Sequence, residues 1–593
     1  MGKGGGMSRV EIVAELANAH QGNPDLAGQL AERCLAAGAD AVKFQVYFAE
    51  ELLVRAHPRF EHFQRQSFGP DNWRRLISGV KAKGGRVYCD LFGMKALEVA
   101  ETNGADGFKI HSSDLTNLPL LQAVAGLGKR VFLSSGGSNA GEIAYALGVL
   151  CGRGVRPVLL HGFQSYPTAV EDSVLSRIAW LRQTFGAHCD IGYQDHVAGD
   201  DPFAVTLPLM AMAMGAVTLE KHVTLDRAAK GVDYYSSLEP DELAGFVAAV
   251  RRAESAMGDR PDVFSAPERQ YRETVKKHWV AARALPAGKI LAPDDLVMKR
   301  VPDAKAGGVE LERLVGRVLL RDVEAEHPFC RGDVKNEVWA MVVARSRSSR
   351  LPGKALLDVA GMPALQHLFE RLKRARRIDK VVFCTTIMPE DDPLAQLARS
   401  SGVICHRGPV EDVLGRMLGA VEGREVDLML RVTGDDILVD PEYADVAIEH
   451  HLAVNAEYTD HKALPSGTEV EVFDARLMAR IHRLARAPEG TEYLTFYVTH
   501  HPDQFRVASA PVEAEHARNW RLTLDTPEDY KVISALLEAM RGRGKALDYS
   551  LNDIVEFFTT NPEVLAINAG VRQRQAPPQV DTGLEWVRLL ASK

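Results

Sequence analysis

Residues 189–196 (CDIGYQDH) and 216–223 (AVTLEKHV) are two apolar runs that both finish in charged and imidazole side chains. Six similar β-rich runs precede them, and amphipathic helical patterns such as 24–37 separate the runs. The six earlier runs are 10–17, 41–48, 85–92, 107–113, 130–137 and 157–164. Eight repeats of strand and helix predict a parallel (β/α)8 barrel, the TIM-barrel architecture. A doubly wound open sheet is the structural alternative.

The composition limits the class of protein. The chain has 593 residues with 71 Lys and Arg against 79 Asp and Glu, a net charge of −8, and 46% of its residues are hydrophobic. That apolar share can bury a core and excludes a disordered chain, while the acidic balance argues against a nucleic-acid partner. No apolar run approaches the roughly 18 residues of a membrane-spanning helix, so we expect no membrane partner. Seven scattered cysteines without a C-x-x-C pair predict a reduced, cytoplasmic protein.

Each predicted barrel strand ends in polar side chains, and in a barrel all such ends open onto the face that carries active sites. His196 and His222 end the seventh and eighth strands. Adjacent strands lie about 5 Å apart, so both imidazoles can bind one divalent metal and leave positions open for a substrate oxygen. The alternative is that each histidine is only a hydrogen-bonded residue at a strand end.

Two lysines lie within apolar strands that open onto the same face. Burying Lys43 and Lys109 there costs several kcal/mol unless an anion compensates the charge. The hydroxyl groups at neighbouring strand ends are those of Ser112, Ser134 and Ser135. Together these groups predict a site for phosphate and carboxylate. The alternative is that the lysines pair with Glu15 or Glu220.

Beyond the barrel the pattern changes. Residues 240–257 predict a helix, 261–276 are polar and predict a linker, and 278–334 form a small, turn-rich β segment. From residue 337 the alternation restarts, which predicts a second, Rossmann-like α/β domain with a largely parallel sheet. Its apolar runs are 339–344, 380–386, 403–405, 428–433, 469–473, 505–508 and 520–524. The predicted domains are 8–265, 272–335 and 337–570, with a C-terminal tail at 571–593.

A basic loop follows the first strand of the second α/β domain. Residues 345–354 (RSRSSRLPGK) place serines, glycine and four cations directly after a buried strand, which favours a phosphate-binding loop over a solvated surface. The G-x-x-x-x-G-K-[ST] spacing of a Walker loop is absent. Asp435 and Asp525 end later apolar runs, and two such carboxylates can share a Mg²⁺ that bridges a triphosphate. The alternative for Asp525 is a helix cap before Pro527.

Residues 10–260 resemble the sialic acid synthase family, which condenses phosphoenolpyruvate with an aldose. The segments that carry the resemblance are 38–45 (GADAVKFQ), 109–117 (KIHSSDLTN), 133–136 (LSSG), 193–196 (YQDH), 220–227 (EKHVTLDR) and 237–240 (SLEP). Residues 278–334 resemble the small antifreeze-like (SAF) domain that follows the barrel in this family and caps the barrel of the partner subunit. The resemblance therefore implies a domain-swapped homodimer.

The resemblance also implies roles for individual residues. His196 and His222 hold a divalent metal, Mn²⁺ or Mg²⁺, that polarises the aldehyde, and Glu15 faces the reacting carbons. The residues that bind phosphoenolpyruvate are Lys43, Lys109, Ser112, Ser134 and Gln164. The residues that bind the acceptor sugar are Tyr166, Asp233 and, from the SAF segment of the other subunit, Arg300. In this reaction C3 of phosphoenolpyruvate joins the aldehyde, water attacks C2, and phosphate leaves.

Positions on the acceptor side depart from the family pattern. Tyr234 stands where the family usually has His, and Gln164 stands where Asn or Ser is frequent. Residues 89–93 (CDLFG) replace Ser-Thr-Pro-Phe-Asp, and residues 300–305 (RVPDAK) replace Arg-Pro-Gly-Asn-Gly. The residues assigned to the metal and, apart from Gln164, to phosphoenolpyruvate match the family pattern, whereas the residues on the acceptor side differ from it. We therefore expect an acceptor other than N-acetylmannosamine.

Residues 337–570 resemble the cytidylyltransferases that make CMP-activated acidic sugars, of the spore-coat polysaccharide and CMP-Kdo synthetase types. The matching segments are 344–354, 407–416, 433–435 and 524–529. The residues that the resemblance assigns to CTP are Arg345, Ser348, Arg350 and Lys354. Lys354 stabilises the leaving pyrophosphate, and Asp435 and Asp525 hold Mg²⁺. Residues 491–493 (TEY) depart from the usual Arg-Glu-His.

The two halves together predict a bifunctional enzyme. The barrel makes a 3-deoxy-2-ulosonic acid from phosphoenolpyruvate and an aldose, and the C-terminal domain attaches CMP to that acid. No phosphatase domain is recognisable between the halves, which favours an unphosphorylated acceptor. In one alternative only one half is catalytic and the other is a sugar- or nucleotide-binding regulatory module. In another the barrel is a phosphoenolpyruvate aldolase of the Kdo-phosphate synthase class, against which the SAF segment argues.

Overall fold

A computed structural model describes most of the chain. The described residues are 9–163, 165–258, 263–302, 308–347, 350–486, 493–501, 503–572 and 582–589. The chain divides into two compact units, residues 1–260 and 261–593. Among the helices in these described ranges, none has both the length and the apolar character needed to cross a membrane.

The first unit is a closed barrel of parallel strands that follow one another in chain order. The strands are β1 (Glu11–Glu15), β2 (Ala41–Val46), β3 (Arg86–Leu91), β4 (Gly107–Ile110), β5 (Arg130–Ser134), β6 (Val158–His161), β7 (Asp190–Asp195) and β8 (Thr218–His222). β8 closes the barrel against β1, with Glu15 opposite His222. The predicted (β/α)8 barrel is confirmed, and the open-sheet alternative is wrong.

Helices cover the outside of the barrel. They are α1 (Pro24–Ala36), α2 (Ala49–Leu52), α3 (Phe60–Gln66), α4 (Pro70–Ala82), α5 (Met94–Thr102), α6 (Leu118–Ala125), α7 (Ala140–Cys151), α8 (Ser176–Phe185), α9 (Phe203–Ala213) and α10 (Pro240–Met257). In α1, the side chain of Asn23 accepts hydrogen bonds from two first-turn amides, and Pro24 occupies a position that lacks an intrahelical N–H bond anyway. Leu30 and Cys34, at helical spacing, lie on its buried face.

The barrel interior is apolar in its middle and polar at the carboxyl ends of the strands. The inner apolar cluster consists of Val13, Ala41, Tyr88, Phe132, Val158 and Leu160. Side chains alternate along a strand, so Glu15, Lys43 and Asp90 lie two residues further on the same side. The apolar layer therefore forms a floor beneath the polar strand ends.

The second unit begins with a helix, α11 (Ala266–Val275), where the sequence predicted a linker. The hydroxyl of Ser265 accepts a hydrogen bond from the amide of Glu268, whose carboxylate accepts one from the amide of Ser265. This capping box starts the helix. The linker prediction for 261–276 is therefore wrong over 266–275. The sequence did not reveal this helix because α11 has no buried residue and shows no apolar stripe.

Within the described residues, the main sheet of the second unit has seven strands. The strands of this sheet are β11 (Val338–Val343), β14 (Lys380–Thr386), β15 (Ile404–Gly408), β16 (Leu428–Thr433), β17 (Tyr458–Asp460), β18 (Glu471–Asp474) and β19 (Val507–Ser509). A separate short hairpin consists of β12 (Asp358–Val359) and β13 (Met362–Pro363). The order in the sheet is β15-β14-β11-β16-β18-β17-β19, and only β18 runs antiparallel to its neighbours. The expected largely parallel sheet is confirmed. Residues 520–524 are not a strand but make a single bridge at Arg521, and β17 was not predicted.

Helices cover both faces of this sheet. They are α12 (Ala364–Leu372), α13 (Asp392–Ser400), α14 (Val413–Ala420), α15 (Pro441–Ala453), α16 (Ala475–Leu484), α17 (Leu494–Thr499), α18 (Pro527–Gly542), α19 (Leu551–Thr560) and α20 (Pro562–Ala566). One face packs its apolar residues with α12 and α18, the other with α14 and α16. Sheet and helices together form the predicted α/β domain.

The small β segment packs on this α/β domain through buried charges. It holds an antiparallel pair, β9 (Lys277–Ala281) and β10 (Leu296–Arg300). Two arginines that follow, Arg313 and Arg331, both contact the carboxylate of Asp474, with Arg331 Nη1 at 2.8 Å from Oδ2. One carboxylate thus contacts two buried guanidinium groups, and the pairs of Arg317 with Asp427 and of Arg506 with Glu310 also join the segment to the domain.

Candidate active sites

The two histidines predicted to bind a metal meet at the carboxyl end of the barrel. The ring centroids of His196 and His222 are 5.1 Å apart, and both side chains are buried. The ring of Tyr166 lies beside them, 4.6 Å from the centroid of His196 and 6.0 Å from that of His222. The structure thus brings an imidazole pair and an aromatic side chain together at one mouth.

The ionisation and orientation of these imidazoles fit a divalent metal. Burial lowers the pKa of His196 to about 4. Burial and the adjacent His196 hold the pKa of His222 well below its ordinary value. Both rings are therefore neutral near pH 7, the form that binds metals. The Nδ1 atom of His196 lies 2.8 Å from the carbonyl oxygen of Phe163, and a bond donated there leaves Nε2 as the ligand atom.

The two lysines lie deeper in the same mouth and share a glutamate. Lys43 Nζ is 2.6 Å from Oε2 of Glu220, and Lys109 Nζ is 2.8 Å from its Oε1. Lys43 also contacts the carboxylate of Glu15, whose Oε1 accepts a hydrogen bond from the amide of Ala17. The pairing proposed as the alternative therefore exists, and it leaves both ammonium groups at the strand ends, where an anion site was predicted.

These contacts set the charges of the cluster. Burial lowers the pKa of Lys43 to about 7. Burial also opposes the charge on Lys109, but Glu220 and Asp90 raise its pKa above the ordinary value. Burial likewise opposes ionisation of Glu220, yet Lys109 and Lys43 lower its pKa. At least one lysine and the glutamate are thus charged at neutral pH, in a pocket with low dielectric.

The remaining predicted barrel residues lie around this mouth where the structure describes them. Ser134 is fully buried and accepts a hydrogen bond from Nε2 of Gln194 at 2.9 Å. Ser112 begins the turn after β4. Asp233 adopts a left-handed backbone conformation, and burial raises its pKa. Gln164 lies outside the described residues, and Arg300 belongs to the second unit, at the end of β10.

Two further buried residues of the mouth had no role assigned from the sequence. Asp90 Oδ2 is 3.6 Å from Nζ of Lys109 and 3.9 Å from Nζ of Lys43. Gln194 donates a hydrogen bond from Nε2 to the hydroxyl of Ser134. Both stand at polar strand ends, so the pattern that singled out the lysines applied to them as well.

In the second unit the basic loop borders a cavity of about 590 Å³, a size suited to a nucleotide. The cations that line it are Arg345, Arg347, Arg350, Lys354, Arg416 and Arg431. Arg416 and Arg431 come from α14 and β16, and neither was assigned a role from the sequence. Ser348 lies outside the described residues.

Lys354 joins the two predicted metal-binding carboxylates. Its Nζ is 2.7 Å from Oδ2 of Asp435 and 2.7 Å from Oδ1 of Asp525. Burial opposes the charge on Lys354, but Asp435 and then Asp525 raise its pKa. The two carboxylates thus converge on one cationic centre, and such an oxygen donor set also suits Mg²⁺ bound to phosphates.

Asp525 is not a helix cap. Thr526 caps α18, because its hydroxyl accepts a hydrogen bond from the amide of Asp529. The carboxylate of Asp525 instead contacts Arg350 and Lys354. The cap alternative is therefore wrong, since the side chain faces the cavity.

Comparison with known proteins agrees with this layout. Residues 30–262 match the NeuB family, residues 279–329 the SAF domain, and residues 339–554 the cytidylyltransferase family. An N,N'-diacetyllegionaminic acid synthase of Campylobacter jejuni is 30% identical, and the match covers 54% of this chain and 98% of that protein. The spore coat polysaccharide biosynthesis protein SpsF of Bacillus subtilis is 33% identical, over 38% of this chain and 96% of that protein.

A solved structure is similar as well. The N-acetylneuraminic acid synthetase of Leptospira borgpetersenii, crystallised with citrate, is 32% identical, covering 45% of this chain and 93% of that one with a TM-score of 0.42. The sequence matches support a bifunctional transferase of acidic-sugar biosynthesis. The chain therefore belongs to the NeuB family, including its SAF domain, and carries in addition a domain of the cytidylyltransferase family.

Proposed function

We propose that the barrel condenses phosphoenolpyruvate with an unphosphorylated aldose to a 3-deoxy-2-ulosonic acid, which the C-terminal domain then activates with CTP. The observation that carries the proposal is the buried pair Lys43 and Lys109 in the same mouth as His196 and His222. Two buried ammonium groups attract a small, multiply charged anion, and neutral imidazoles suit a metal that binds an aldehyde oxygen.

Phosphoenolpyruvate binds at the lysine pair. Lys43 and Lys109 neutralise its phosphate and carboxylate, and the hydroxyls of Ser112 and Ser134 donate hydrogen bonds to the anion. Gln164 completes this set. Glu220, between the two ammonium groups, keeps them positioned and charged before the substrate arrives.

The reaction forms one carbon–carbon bond and releases one phosphate. C3 of phosphoenolpyruvate attacks the aldehyde carbon, whose oxygen takes up a proton. Water then adds at C2, the C2–O bond to phosphate breaks, and the 2-keto acid remains. Glu15, paired with Lys43 at the strand end, accepts the proton of that water. A divalent metal held by His196 and His222 supplies Lewis-acid polarisation of the aldehyde.

The acceptor sugar contacts the outer mouth. Tyr166 offers an exposed ring beside His196, and Asp233 accepts a backbone hydrogen bond from Asn18. We propose a neutral aldose other than N-acetylmannosamine. The homodimer, in which Arg300 of a second copy reaches this mouth, is tested by the mass of the protein in solution.

The C-terminal domain carries out nucleotidyl transfer. Arg345, Ser348 and Arg350 bind the phosphates of CTP, and Asp435 and Asp525 hold Mg²⁺ with them. The anomeric hydroxyl of the ulosonic acid attacks the α-phosphorus, and pyrophosphate leaves. Lys354 stabilises the charge that develops on that leaving group.

The test is a two-stage assay. The protein is incubated with phosphoenolpyruvate, Mn²⁺ and a panel of unphosphorylated aldoses that includes N-acetylmannosamine and diamino sugars, and phosphate release is measured. CTP and Mg²⁺ are then added, and pyrophosphate is measured. We expect phosphate with one aldose other than N-acetylmannosamine, followed by pyrophosphate.

Two variants assign each signal to its unit. Lys43→Met should abolish phosphate release, and Lys354→Met should abolish only pyrophosphate release. Pyrophosphate that appears only with a supplied ulosonic acid, together with no phosphate from any aldose of the panel, would contradict the proposal for the barrel. A need for added phosphatase would contradict the unphosphorylated acceptor.

A further inference from the structure

A buried ion pair joins the last two strands of the barrel just before the two histidines. Asp195 on β7 and Lys221 on β8 are cross-strand partners, and Lys221 Nζ lies 2.5 Å from Oδ2 of Asp195. Both side chains are excluded from solvent. The other oxygen, Oδ1, accepts hydrogen bonds from the hydroxyl of Tyr193 at 3.0 Å and from the amide of Val197 at 3.3 Å. Both oxygens of the Asp195 carboxylate therefore accept hydrogen bonds.

The pair does not belong to the substrate cluster. Side chains alternate along a strand, so Asp195 and Lys221 point away from the side that carries His196 and His222. Each charged residue nevertheless directly precedes one of the histidines. The distance between the two imidazoles thus depends on the register of β7 and β8, the two strands that this pair links.

The backbone beyond the pair is also held. The carbonyl oxygen of His196 accepts hydrogen bonds from the amide of Thr168 at 2.8 Å and from the hydroxyl of Ser236 at 2.9 Å. The carbonyl oxygen of His222 accepts one from the amide of Leu238 at 2.9 Å. The β7–β8 ladder and these anchors hold the main chains, and the ion pair adds a link between the two side chains that directly precede the histidines.

Stability alone does not explain this pair. Replacing a buried ion pair by apolar side chains of similar volume is often neutral or stabilising, because the charges no longer have to be desolvated. What an apolar pair lacks is a preferred distance and direction between the two strands. We infer that Asp195 and Lys221 are positioning residues that set the spacing of His196 and His222 for a divalent cation. This inference rests on the proposed metal site.

The test compares binding of Mn²⁺ alone to full-length variants, by titration calorimetry and by the electron paramagnetic resonance of free Mn²⁺. In the double variant Asp195→Leu with Lys221→Met, we expect the Kd for Mn²⁺ to rise roughly 10- to 100-fold, the range for residues that orient metal ligands. We expect its melting temperature to stay at or above that of the wild type. If the pair served only stability, the double variant would keep the Kd for Mn²⁺ of the wild type and would have a lower melting temperature.

A matched control lies at the other end of the same strand. Arg156 Nε donates to Oδ1 of Asp190, the first residue of β7, at 3.0 Å. Because Asp190 lies roughly 20 Å from His196 at about 3.3 Å per residue, Arg156→Met with Asp190→Leu should leave Mn²⁺ affinity unchanged.

The single variants keep the test informative if the double variant does not fold. Lys221→Arg retains the ion pair and should bind Mn²⁺ as the wild type does, whereas Lys221→Met should bind more weakly. Equal affinities for Lys221→Met and the wild type would overturn the inference. A variant in which both His196 and His222 are replaced distinguishes a failure of this inference from a failure of the proposed metal site. If that variant binds Mn²⁺ as the wild type does, the two histidines do not form the metal site.

Discussion

The carboxylate of Glu220 lies 2.8 Å from the ammonium group of Lys109, and both side chains are buried in the barrel. The second oxygen of the same carboxylate lies 2.6 Å from the ammonium group of Lys43. Two further carboxylates lie close by, because Glu15 contacts Lys43 and Oδ2 of Asp90 lies 3.9 Å from Nζ of Lys43 and 3.6 Å from Nζ of Lys109. The proposed substrate site is thus held together by charges that pair before a substrate binds.

Removing that carboxylate should make stability depend on the ligand. In Glu220→Gln both buried ammonium groups lose the carboxylate they share, and Lys109 keeps only the contact with Asp90, so we expect the free energy of unfolding to fall by about 3 to 5 kcal/mol. Phosphoenolpyruvate should raise the melting temperature of this variant more than that of the wild type, since the anion replaces the lost charge. Differential scanning calorimetry measures both effects. An equal ligand shift in the two proteins would contradict the assignment.

The affinity for phosphoenolpyruvate should fall as the pH rises. Burial lowers the pKa of Lys43 to about 7, so its ammonium form, which binds the anion, is present below that pH and is lost above it. The phosphate of the substrate is already fully ionised above pH 7, because its second pKa is about 6. We expect Kd to increase up to about tenfold per pH unit between pH 7 and 9.

Calorimetric titration at pH 7, 8 and 9 measures this dependence. Lys43→Met should bind more weakly, with a Kd that hardly changes over the same range. A flat profile in the wild type would show that Lys43 does not titrate there.

Loss of Lys354 should separate the two reactions. Lys354→Met removes the cation between Asp435 and Asp525, and removal of one stabilising group from a developing anion costs roughly 10²- to 10³-fold in rate. We expect that loss in pyrophosphate release and an unchanged rate of phosphate release. Lys373→Met, at a surface pair with Glu370, serves as the control and should alter neither rate.

Asp474 should stabilise the second unit through its charge. Asp474→Asn keeps the cap of α16, because Asn caps helices as well as Asp does, but it removes the carboxylate that Arg331 contacts and leaves Arg313 with only the more exposed Glu310. We expect the free energy of unfolding of this unit to fall by about 3 kcal/mol or more. Urea unfolding followed by circular dichroism measures it, with the exposed Asp294→Asn as control. Similar midpoints for the two variants would mean that the arginines find other partners.

Much of the fold was predictable from local patterns. The runs 189–196 and 216–223 each became a barrel strand, because strand-length apolar runs separated by amphipathic helices leave few alternatives. The period of two along each strand also places polar ends such as Lys43 and His222 on one face. The helix α11 was missed because its polar sequence is stabilised by a capping box and not by a buried stripe.

The partners of the buried charges required the tertiary structure. Lys354 and Asp525 are 171 residues apart in the chain and meet at 2.7 Å, whereas the local pattern allowed Asp525 to be a cap. The same holds for Asp195 with Lys221, which meet because β7 and β8 pair side by side in this register. The sequence determined the strands, the loop and the polar ends through side-chain period and turn chemistry. Which charges pair was decided only when the closed barrel and the sheet brought distant strands within hydrogen-bond distance.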